Sequence, residues 1–530
     1  MLDKYVKQSP VCSEFSEEEQ IYFFDRCRQK VTSHVDTLYY TVTLFNDSNE
    51  PREELLALLD QLRILKQQKA LNYSAEVDFF GLSVENMRFV HYEYCLKLNE
   101  NFDIFIASFL PNVHTPRIVV QLRTRSLVLD GTMGAVCKSF RYVKNILDAY
   151  GLEVGEVKEN RIDYAYHTNI MQDPYRYFDD RKLQTKFKSK LRHVTTVKNV
   201  SQKIDLSYIS FGDRKSNNVF VRIYNKTREV VEKNYKSFFL DKWLKDKLIN
   251  RYDHYVYSHA YSCASYVTGI LIGRIDWYLE YGHNEEIKQQ LLKVKESCYV
   301  KSDNTDHLRK IVDELLPPVT LIMNIEYQTK RKFYTDCDAF IEQFQLAHDE
   351  LKNNYPDWVA WYEDPLQRLK ILYSLRSEFL DYLTTETLCF VDHKGTEEEK
   401  LCYWWQRIHD VMIEERRKHF EFLPFFRERS RQADFAKAKR KALSSIAHLS
   451  LLNQGSLECK KTFSEDVSDV LCVLNDNDMH DLEGAFSPGE VLNISSKDYD
   501  VIKRRKARQN RGILPESKSN SNLNQSEVKS

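Results

Sequence analysis

The sequence predicts an α+β protein whose first half carries a mainly antiparallel sheet. Three observations lead to this class. Stretches typical of strands and helices are interleaved, and several of the strands are joined by short turns, as in hairpins. After about residue 262, the segments have helical periodicity instead. Glycine is scarce, with 14 residues in the chain, which argues against a doubly wound architecture.

The order of these patterns divides the chain into four regions. Residues 1–34 read as a helical lead-in, and 35–262 contain the strands together with several helices. Residues 263–450 read as a helical domain, whereas 451–530 form a polar and partly disordered tail. A length of 530 residues is in any case too great for one hydrophobic core.

Individual elements follow from periodicity and turn residues. The predicted strands are 35–45, a hairpin over 89–109 that turns at 99–101, 117–129, 160–169, 205–212, 218–226 and 251–259. The predicted helices of the first half are 52–70, 131–151, a basic one over 181–194, and 227–250. No strand is predicted between 265 and 420.

Composition excludes several classes of protein. The 11 cysteines include no CxxC pair, so neither a zinc ribbon nor a disulfide framework is expected. No apolar run has the roughly 20 residues needed to span a bilayer, and the N-terminus is acidic and polar. We therefore expect a cytoplasmic protein without a membrane partner. With a net charge of −1, any binding of nucleic acid must use local positive charge.

Several predicted strands place polar residues on one face, because side chains alternate along a strand. Arg222, Tyr224 and Lys226 share a face in "FVRIYNKTRE". Asp163 and His167 share another in "NRIDYAYHTN". The patterns over 117–129 and 251–259 repeat this mixture of cations, carboxylates and polar groups. One interpretation is a sheet with one solvated face, and the other is a site for phosphodiester chemistry.

Two of these stretches carry a resemblance to a known family. "ENRIDYAYHTN" (159–169) and "SYISFGDRKSNNVFVRIYNKTRE" resemble motifs of the replication initiation factor family. This family comprises rolling-circle plasmid initiators and related phage and conjugative-element relaxases. The similarity covers roughly 35–262 and is most specific around Tyr224, which matches the tyrosine of the family's R-x-Y-x-K strand. The chain departs from the family pattern at two positions: His167 stands where the family often has an acidic residue, and Asp253 stands where it usually has Glu.

The resemblance implies a function. Tyr224 would nick one DNA strand at an origin, leaving a 5′-phosphotyrosyl link and a free 3′-hydroxyl that primes synthesis. Arg222 and Lys226 would stabilise the phenolate and the transition state. Mg²⁺ or Mn²⁺ would be the cofactor, with Asp163, His167 and Asp253 as candidate ligands and Gln121 as a guess. The alternative for His167 is a structural residue, and the alternative for Tyr224 is an ordinary strand tyrosine.

DNA contacts are predicted in two basic segments. Arg214, Lys215 and Ser216 lie in the turn before the Tyr224 strand and could hold a phosphate at the single-stranded nick site. The predicted basic helix contributes further candidates, and they are Lys186, Lys188, Lys190 and Arg192. The alternative for this helix, for the run 428–442 and for the basic tail is a solvated charged surface.

The helical region is a candidate for binding a host helicase or for forming a homodimer. Its tryptophans, Trp358, Trp361, Trp404 and Trp405, are interpreted as core or interface residues rather than base-stacking platforms. Two rival functions remain. One is an origin-binding protein that does not nick, and the other is a degenerate family member with a regulatory or structural role.

Overall fold

The computed structural model describes most of residues 10–416. The described ranges are 10–25, 30–48, 52–74, 76–111, 115–172, 187–191, 194–198, 206–232, 236–260, 265–299, 305–342, 364–392 and 400–416. All of them belong to one compact unit, Met1–Arg427.

These residues form one large antiparallel sheet with helices on both faces, so the α+β class is confirmed. The strands, in chain order, are β1 (Val31–Leu44), β2 (Asp78–Phe79), β3 (Leu82–Glu85), β4 (Tyr94–Leu98), β5 (Phe102–Ile106), β6 (Ile118–Leu122), β7 (Val154–Thr168), β8 (Phe187–Ser189), β9 (Val194–Lys198), β10 (Leu206–Phe211), β11 (Val219–Asn225), β12 (Met323–Lys330) and β13 (Leu388–Phe390). Among the described residues, eleven of them pair in the order β2-β3-β4-β5-β6-β1-β7-β12-β11-β10-β9, and β13 pairs with β8 separately.

Helices precede, connect and follow these strands. A short 3-10 helix (Pro10–Glu14) leads into α1 (Glu17–Phe24). The further described helices are α2 (Glu53–Leu71), α3 (Thr124–Leu129), α4 (Thr132–Ala149), α5 (Lys226–Glu232), α6 (Ser237–Lys245), α7 (Arg251–Ala260), α8 (Tyr266–Tyr281), α9 (Glu285–Tyr299), α10 (Thr305–Leu315), α11 (Arg331–Thr335), α12 (Gln367–Ser374), α13 (Arg376–Tyr382), a π-helical turn (Leu383–Thr387) and α14 (Tyr403–Arg416). In the part of the chain that the structure describes, no helix is both long and apolar enough to cross a bilayer.

Local patterns predicted several elements correctly. The hairpin β4–β5 turns where expected, and β10 and β11 form the predicted strand pair. Helix α4 is followed by Gly151, whose φ of 67° is the left-handed conformation expected of a glycine that ends a helix. Trp404 and Trp405 are buried, as the core interpretation requires. Trp358 and Trp361 lie outside the described residues.

Some predicted elements were wrong. Residues 251–259 are helical, because their buried residues recur at helical spacing (Tyr252, Asp253, Val256, Tyr257 and Ala260). The predicted strand 117–129 stops at Leu122 and continues as α3, whereas 227–250 forms two helices. The basic stretch 181–194 was predicted as a helix, but Phe187–Ser189 is a strand; residues 181–186 lie outside the described residues.

The prediction that no strand lies between 265 and 420 was also wrong. Strand β12 lies between β7 and β11, so the sheet takes a central strand from beyond residue 262. Its sequence does alternate, since Met323, Ile325 and Tyr327 point into the main core while the residues between them point the other way. The segments on either side of β12 were predicted as helices, so this short alternating stretch was not recognised as a strand.

Replacing Ile325 by alanine tests whether β12 is part of the core. Ile325 is fully buried, so we expect Ile325→Ala to lower the free energy of unfolding by about 2–5 kcal/mol. Urea unfolding would measure this loss. Ile64→Ala is the matched control, because Ile64 is 47% exposed on α2. This substitution should lower the free energy of unfolding far less than Ile325→Ala. Equal losses for the two variants would contradict a buried β12.

Candidate functional site

Polar side chains cross the centre of the sheet on the face opposite the main core. In one row, His167 of β7 is opposite Asn324 of β12, which is opposite Tyr224 of β11. In the next row, Glu326 of β12 is opposite Arg222 of β11. Because side chains alternate along each strand, the four residues Asn324, Glu326, Arg222 and Tyr224 project to the same side. The predicted polar face is therefore present.

The hydroxyl of Tyr224 has three hydrogen-bond partners. It donates to Glu326 Oε2 at 3.2 Å and accepts from Lys226 Nζ at 3.2 Å and from Asn324 Nδ2 at 2.9 Å. The tyrosine is only 8% exposed. A carboxylate and an ammonium group thus contact the same phenol oxygen. We call Tyr224, Arg222, Lys226, Asn324 and Glu326 the Tyr224 cluster.

The electrostatic surroundings keep Tyr224 protonated. Burial raises the pKa of its phenol well above the usual value, and the carboxylates of Glu326, Glu229 and Asp36 raise it further. Arg222 opposes this effect without overcoming it. Attack by this hydroxyl would consequently need a base that removes the proton during the reaction, and Glu326 is in hydrogen-bond contact with it.

The two predicted cations both contact Tyr224, although in different ways. Arg222 donates to both oxygens of Glu326, at 3.1 and 2.9 Å, and its guanidinium lies 4.7 Å from the centre of the Tyr224 ring. Lys226 is not a strand residue but the first residue of α5, and its ammonium reaches back to the hydroxyl.

Lys226 is a fully buried cation held by acidic neighbours. Its Nζ lies 3.0 Å from Glu229 and 3.7 Å from Asp36. Burial alone would lower the pKa of Lys226, but Asp36, Glu229 and Glu326 outweigh burial and raise it. The same ammonium holds the pKa of Asp36 well below its usual range despite the burial of that carboxyl. Lys226 is therefore a permanent positive charge beside the phenol oxygen.

Sequence reasoning missed the acidic and amide members of this site. Glu326 and Asn324 belong to β12, which was not predicted, and Asp36 belongs to β1, where it was treated as an ordinary strand residue. The alternation of "MNIEYQTK" was the available signal for β12. Nothing in the local pattern, however, indicates that this strand pairs with the Tyr224 strand.

The predicted metal ligands occupy separate environments. Asp163 is buried and accepts two hydrogen bonds from Arg161, at 2.8 and 2.5 Å. His167 Nδ1 accepts from Trp243 Nε1 at 2.9 Å, and its ring lies 4.2 Å from that of His34. His167 Nε2 is buried without a hydrogen-bond partner. Burial holds the pKa of His167 well below its usual value, so its ring is neutral.

Asp253 lies in the first turn of helix α7 rather than on a strand. Its two carboxylate oxygens accept backbone N–H groups, from Thr320 at 2.8 Å and from Asn250 at 3.2 Å. Within the described ranges, no three His, Cys, Asp or Glu side chains are grouped so that they could hold one metal ion. The predicted set Asp163, His167 and Asp253 therefore does not fit a divalent cation as one group.

Asp253→Asn is expected to change how stability depends on pH. Burial raises the pKa of Asp253 to about 6, so between about pH 4 and pH 6 the folded protein binds more protons at this site than the unfolded chain does. The additional proton stabilises the folded wild-type protein at low pH by about 1–3 kcal/mol, and this stabilisation is lost as the pH rises through that window. Asparagine does not titrate, so the difference between the two proteins should change over the same range.

Urea unfolding at several pH values would measure that difference. Asp241→Asn is the control, because Asp241 is a mostly exposed carboxylate on the neighbouring helix α6. Parallel stability curves for wild type and Asp253→Asn would contradict a raised pKa at Asp253.

The predicted DNA contacts are only partly within the described residues. Arg214, Lys215 and Ser216 are exposed in the turn between β10 and β11. Lys330 of β12 donates to the backbone carbonyls of Arg214 and Lys215, at 2.6 and 3.1 Å, which fixes this turn. Lys190 is exposed and pairs with Glu386 at 2.8 Å. Lys186 and Arg192 lie outside the described residues, and Lys188 is placed only as a residue of β8. Gln121, which was a guess among the metal ligands and not a predicted DNA contact, is half-buried on β6.

Comparisons with known proteins give a structural likeness but no family. No protein-family model matches the chain, and no curated protein matches it either. The structure is similar to that of a rolling circle replication initiator protein from Geobacillus stearothermophilus, with 10% sequence identity and a TM-score of 0.32. The likeness covers 72% of this chain and 96% of that chain. A likeness of this degree carries no functional argument.

Proposed function

We propose that the protein is a DNA-nicking replication initiator that uses Tyr224 as its nucleophile. The observation that carries this proposal is the position of the Tyr224 hydroxyl, which contacts a carboxylate, Glu326, and an ammonium group, that of Lys226. A tyrosine nucleophile needs a base for its proton and a cation for the charge that develops on its oxygen. Both groups contact the same atom.

The proposed reaction transfers a phosphoryl group from DNA to the enzyme. Tyr224 Oη forms a bond to phosphorus while its proton passes to Glu326 Oε2. The bond between phosphorus and the 3′ oxygen breaks, and this oxygen takes a proton from water and leaves as a 3′-hydroxyl. The proton held by Glu326 then passes to the hydroxide so formed and restores the carboxylate. The 5′-phosphate remains on Tyr224, and no change of oxidation state occurs.

Three neighbours of Tyr224 have supporting roles in this reaction. Lys226 stabilises the negative charge on the phenol oxygen as its proton leaves. Asn324 donates to the same oxygen and orients it. Arg222 holds Glu326 through its two hydrogen bonds and is itself partly exposed, so it can also contact a phosphate.

A nicking assay tests this function. Purified protein would be incubated with supercoiled plasmid that carries its own gene and flanking DNA, with Mg²⁺, with Mn²⁺ and with neither. Open-circular DNA carrying protein that resists SDS, with the DNA attached to the Tyr224 peptide by mass spectrometry, is the expected result. The three conditions test the predicted need for a divalent cation. The nicking assay does not measure binding of a host helicase or formation of a homodimer, and both stay predictions.

The second candidate is an origin-binding protein that does not nick. The observation that favours it is the burial of Tyr224, since a hydroxyl with three protein partners must exchange one of them to reach a phosphate. Specific retention of the same plasmid without any nick, under all three conditions, would support this candidate and overturn the proposed reaction.

A further inference from the structure

A pocket of about 300 Å³ opens at the corner of the sheet beyond the start of β4 and the end of β5. Three parts of the chain form its wall: helix α2, the segment between β3 and β4, and the segment that follows β5. The lining side chains that matter here are Lys66, Arg88, His91, Glu93, Ser108 and Phe109. The volume is at the lower end of the range for small-molecule sites.

The pocket is far from the Tyr224 cluster. In the strand order, six spacings of about 4.8 Å separate β4 from β11, which makes about 29 Å. The two sites also lie toward opposite ends of β1. The pairing row of Tyr94 reaches β1 at Val42, whereas the row of Tyr224 reaches it at Thr32. A small molecule in this pocket therefore cannot contact the nucleophile.

A strained tight turn forms one wall of the pocket. Phe89 and Tyr92 exchange two backbone hydrogen bonds, at 3.0 and 2.8 Å, so Val90 and His91 are the central residues of the turn. Val90 has a φ of 52°, a conformation that is unfavourable for a β-branched residue. The rings of Phe89 and Phe105 stack with their centres 4.7 Å apart, which anchors the turn on the sheet. Backbone strain that the surroundings maintain is characteristic of binding sites.

Three basic side chains line the pocket. The ammonium group of Lys66 donates to the carbonyl of Glu93 at 2.7 Å and has two further N–H groups. Arg88 Nε donates to the carbonyl of Val90 at 3.1 Å, which holds the guanidinium while its terminal N–H groups remain available. Among the described residues, neither Arg88 nor His91 pairs with a carboxylate. Cations held in this way are suited to a phosphate group, because they lose little conformational freedom when it binds.

The remaining side chains of the pocket suit a nucleoside. Phe109 is 60% exposed, so its ring is open to stacking by a base. The hydroxyl of Ser108 donates to Glu93 Oε2 at 2.7 Å, which orients the carboxylate and leaves Oε1 as an acceptor. A sugar hydroxyl or a base amino group can donate to that oxygen. An extended peptide would not fit a pocket of about 300 Å³.

We propose that this pocket binds a free nucleoside phosphate. Lys66, Arg88 and His91 hold the phosphate, the base stacks on Phe109, and Glu93 accepts a hydrogen bond from the sugar or the base. A terminal phosphate carries about 1.5 to 2 negative charges at pH 7, whereas a phosphodiester in DNA carries one, so three basic side chains favour a free nucleotide over a DNA strand. The inference goes beyond the proposed function and does not depend on it, since the pocket contains none of the nicking residues.

Isothermal titration calorimetry of the full chain tests this site. The probes are AMP, adenosine and inorganic phosphate, in buffer with EDTA so that the side chains alone are tested. AMP should bind to one site at least tenfold more tightly than adenosine or phosphate, because only AMP contacts both the cations and the ring. Oligo(dT) of twelve nucleotides without a terminal phosphate, added in excess, should not displace AMP.

Two variants separate the phosphate contacts from the stacking contact. Arg88→Gln should weaken the binding of AMP and of phosphate about tenfold. Phe109→Ala should weaken the binding of AMP about tenfold and leave that of phosphate unchanged. Arg63→Gln is the matched control, because Arg63 is exposed on α2, close to Lys66 in the chain, but does not line the pocket. Thermal unfolding would show that each variant is folded.

Equal affinity for AMP and phosphate would overturn the proposal, because the pocket would then hold only an anion. Displacement of AMP by oligo(dT) would overturn it too, as would wild-type affinity in both folded variants. These outcomes are separate from the nicking result. A protein that nicks but does not bind AMP would keep the proposed function and reject this site. A protein that binds AMP as described but never nicks would keep the site and reject the nucleophile.

Discussion

Tyr224→Phe is expected to abolish the covalent protein–DNA product, with a loss of at least about 10³-fold in nicking rate. The substitution keeps the ring that lies beside Arg222 and removes only the hydroxyl that would form the bond to phosphorus. A labelled single-stranded oligonucleotide containing the nick site, analysed in SDS gels, would measure the product. DNA binding should be nearly unchanged, because Arg222 and Lys226 remain in place.

Tyr208→Phe is the matched control for this substitution. Tyr208 is the residue of β10 directly opposite Tyr224, and it is half-exposed on the same face. The Tyr208→Phe variant should nick DNA at close to the wild-type rate. The loss of three hydrogen bonds in Tyr224→Phe should cost about 1–3 kcal/mol of stability, so both variants need a check by thermal unfolding. Covalent product from Tyr224→Phe at the wild-type rate would show that another residue is the nucleophile.

Glu326→Gln is expected to lower the nicking rate about 10²-fold at neutral pH, because the amide cannot take the proton of Tyr224. Burial is the largest cause of the raised pKa of Tyr224, and the negative charge of Glu326 is the second largest. Removing that charge should therefore lower the tyrosine pKa. The residual activity of the variant should rise as the pH increases toward 10, whereas wild-type activity should change little over the same alkaline range.

A rate–pH profile of single-turnover nicking would measure both effects. Glu229→Gln is the matched control, because Glu229 contacts Lys226 but has no hydrogen bond to the Tyr224 hydroxyl. It removes the same charge from the same neighbourhood, and it should retain the shape of the wild-type profile. If the rate of Glu326→Gln is lower than the wild-type rate by the same factor at every pH, Glu326 positions Tyr224 and does not act as its base.

Local pattern was sufficient where both partners of a contact lie close together in the chain. The β10–β11 strand pair could be predicted because the two strands flank a short polar turn and show period-2 alternation. The same alternation placed Arg222 and Tyr224 on one face, and the guanidinium does lie beside the ring. The failure at 251–259 has a local cause too, because aromatic residues favour strands while their spacing in this segment is helical.

The sequence alone thus identified the α+β class, the strand that carries Tyr224 and the cations beside it, since each depends on residues within a few positions of one another. Only the tertiary structure brought Glu326 to the tyrosine hydroxyl, across a separation of 102 residues in the chain. It likewise assigned Asp253 to backbone N–H groups instead of the polar face. Strand pairing at such distances is decided by the packing of the whole sheet, because local periodicity states which face a residue occupies but not which strand lies next to it.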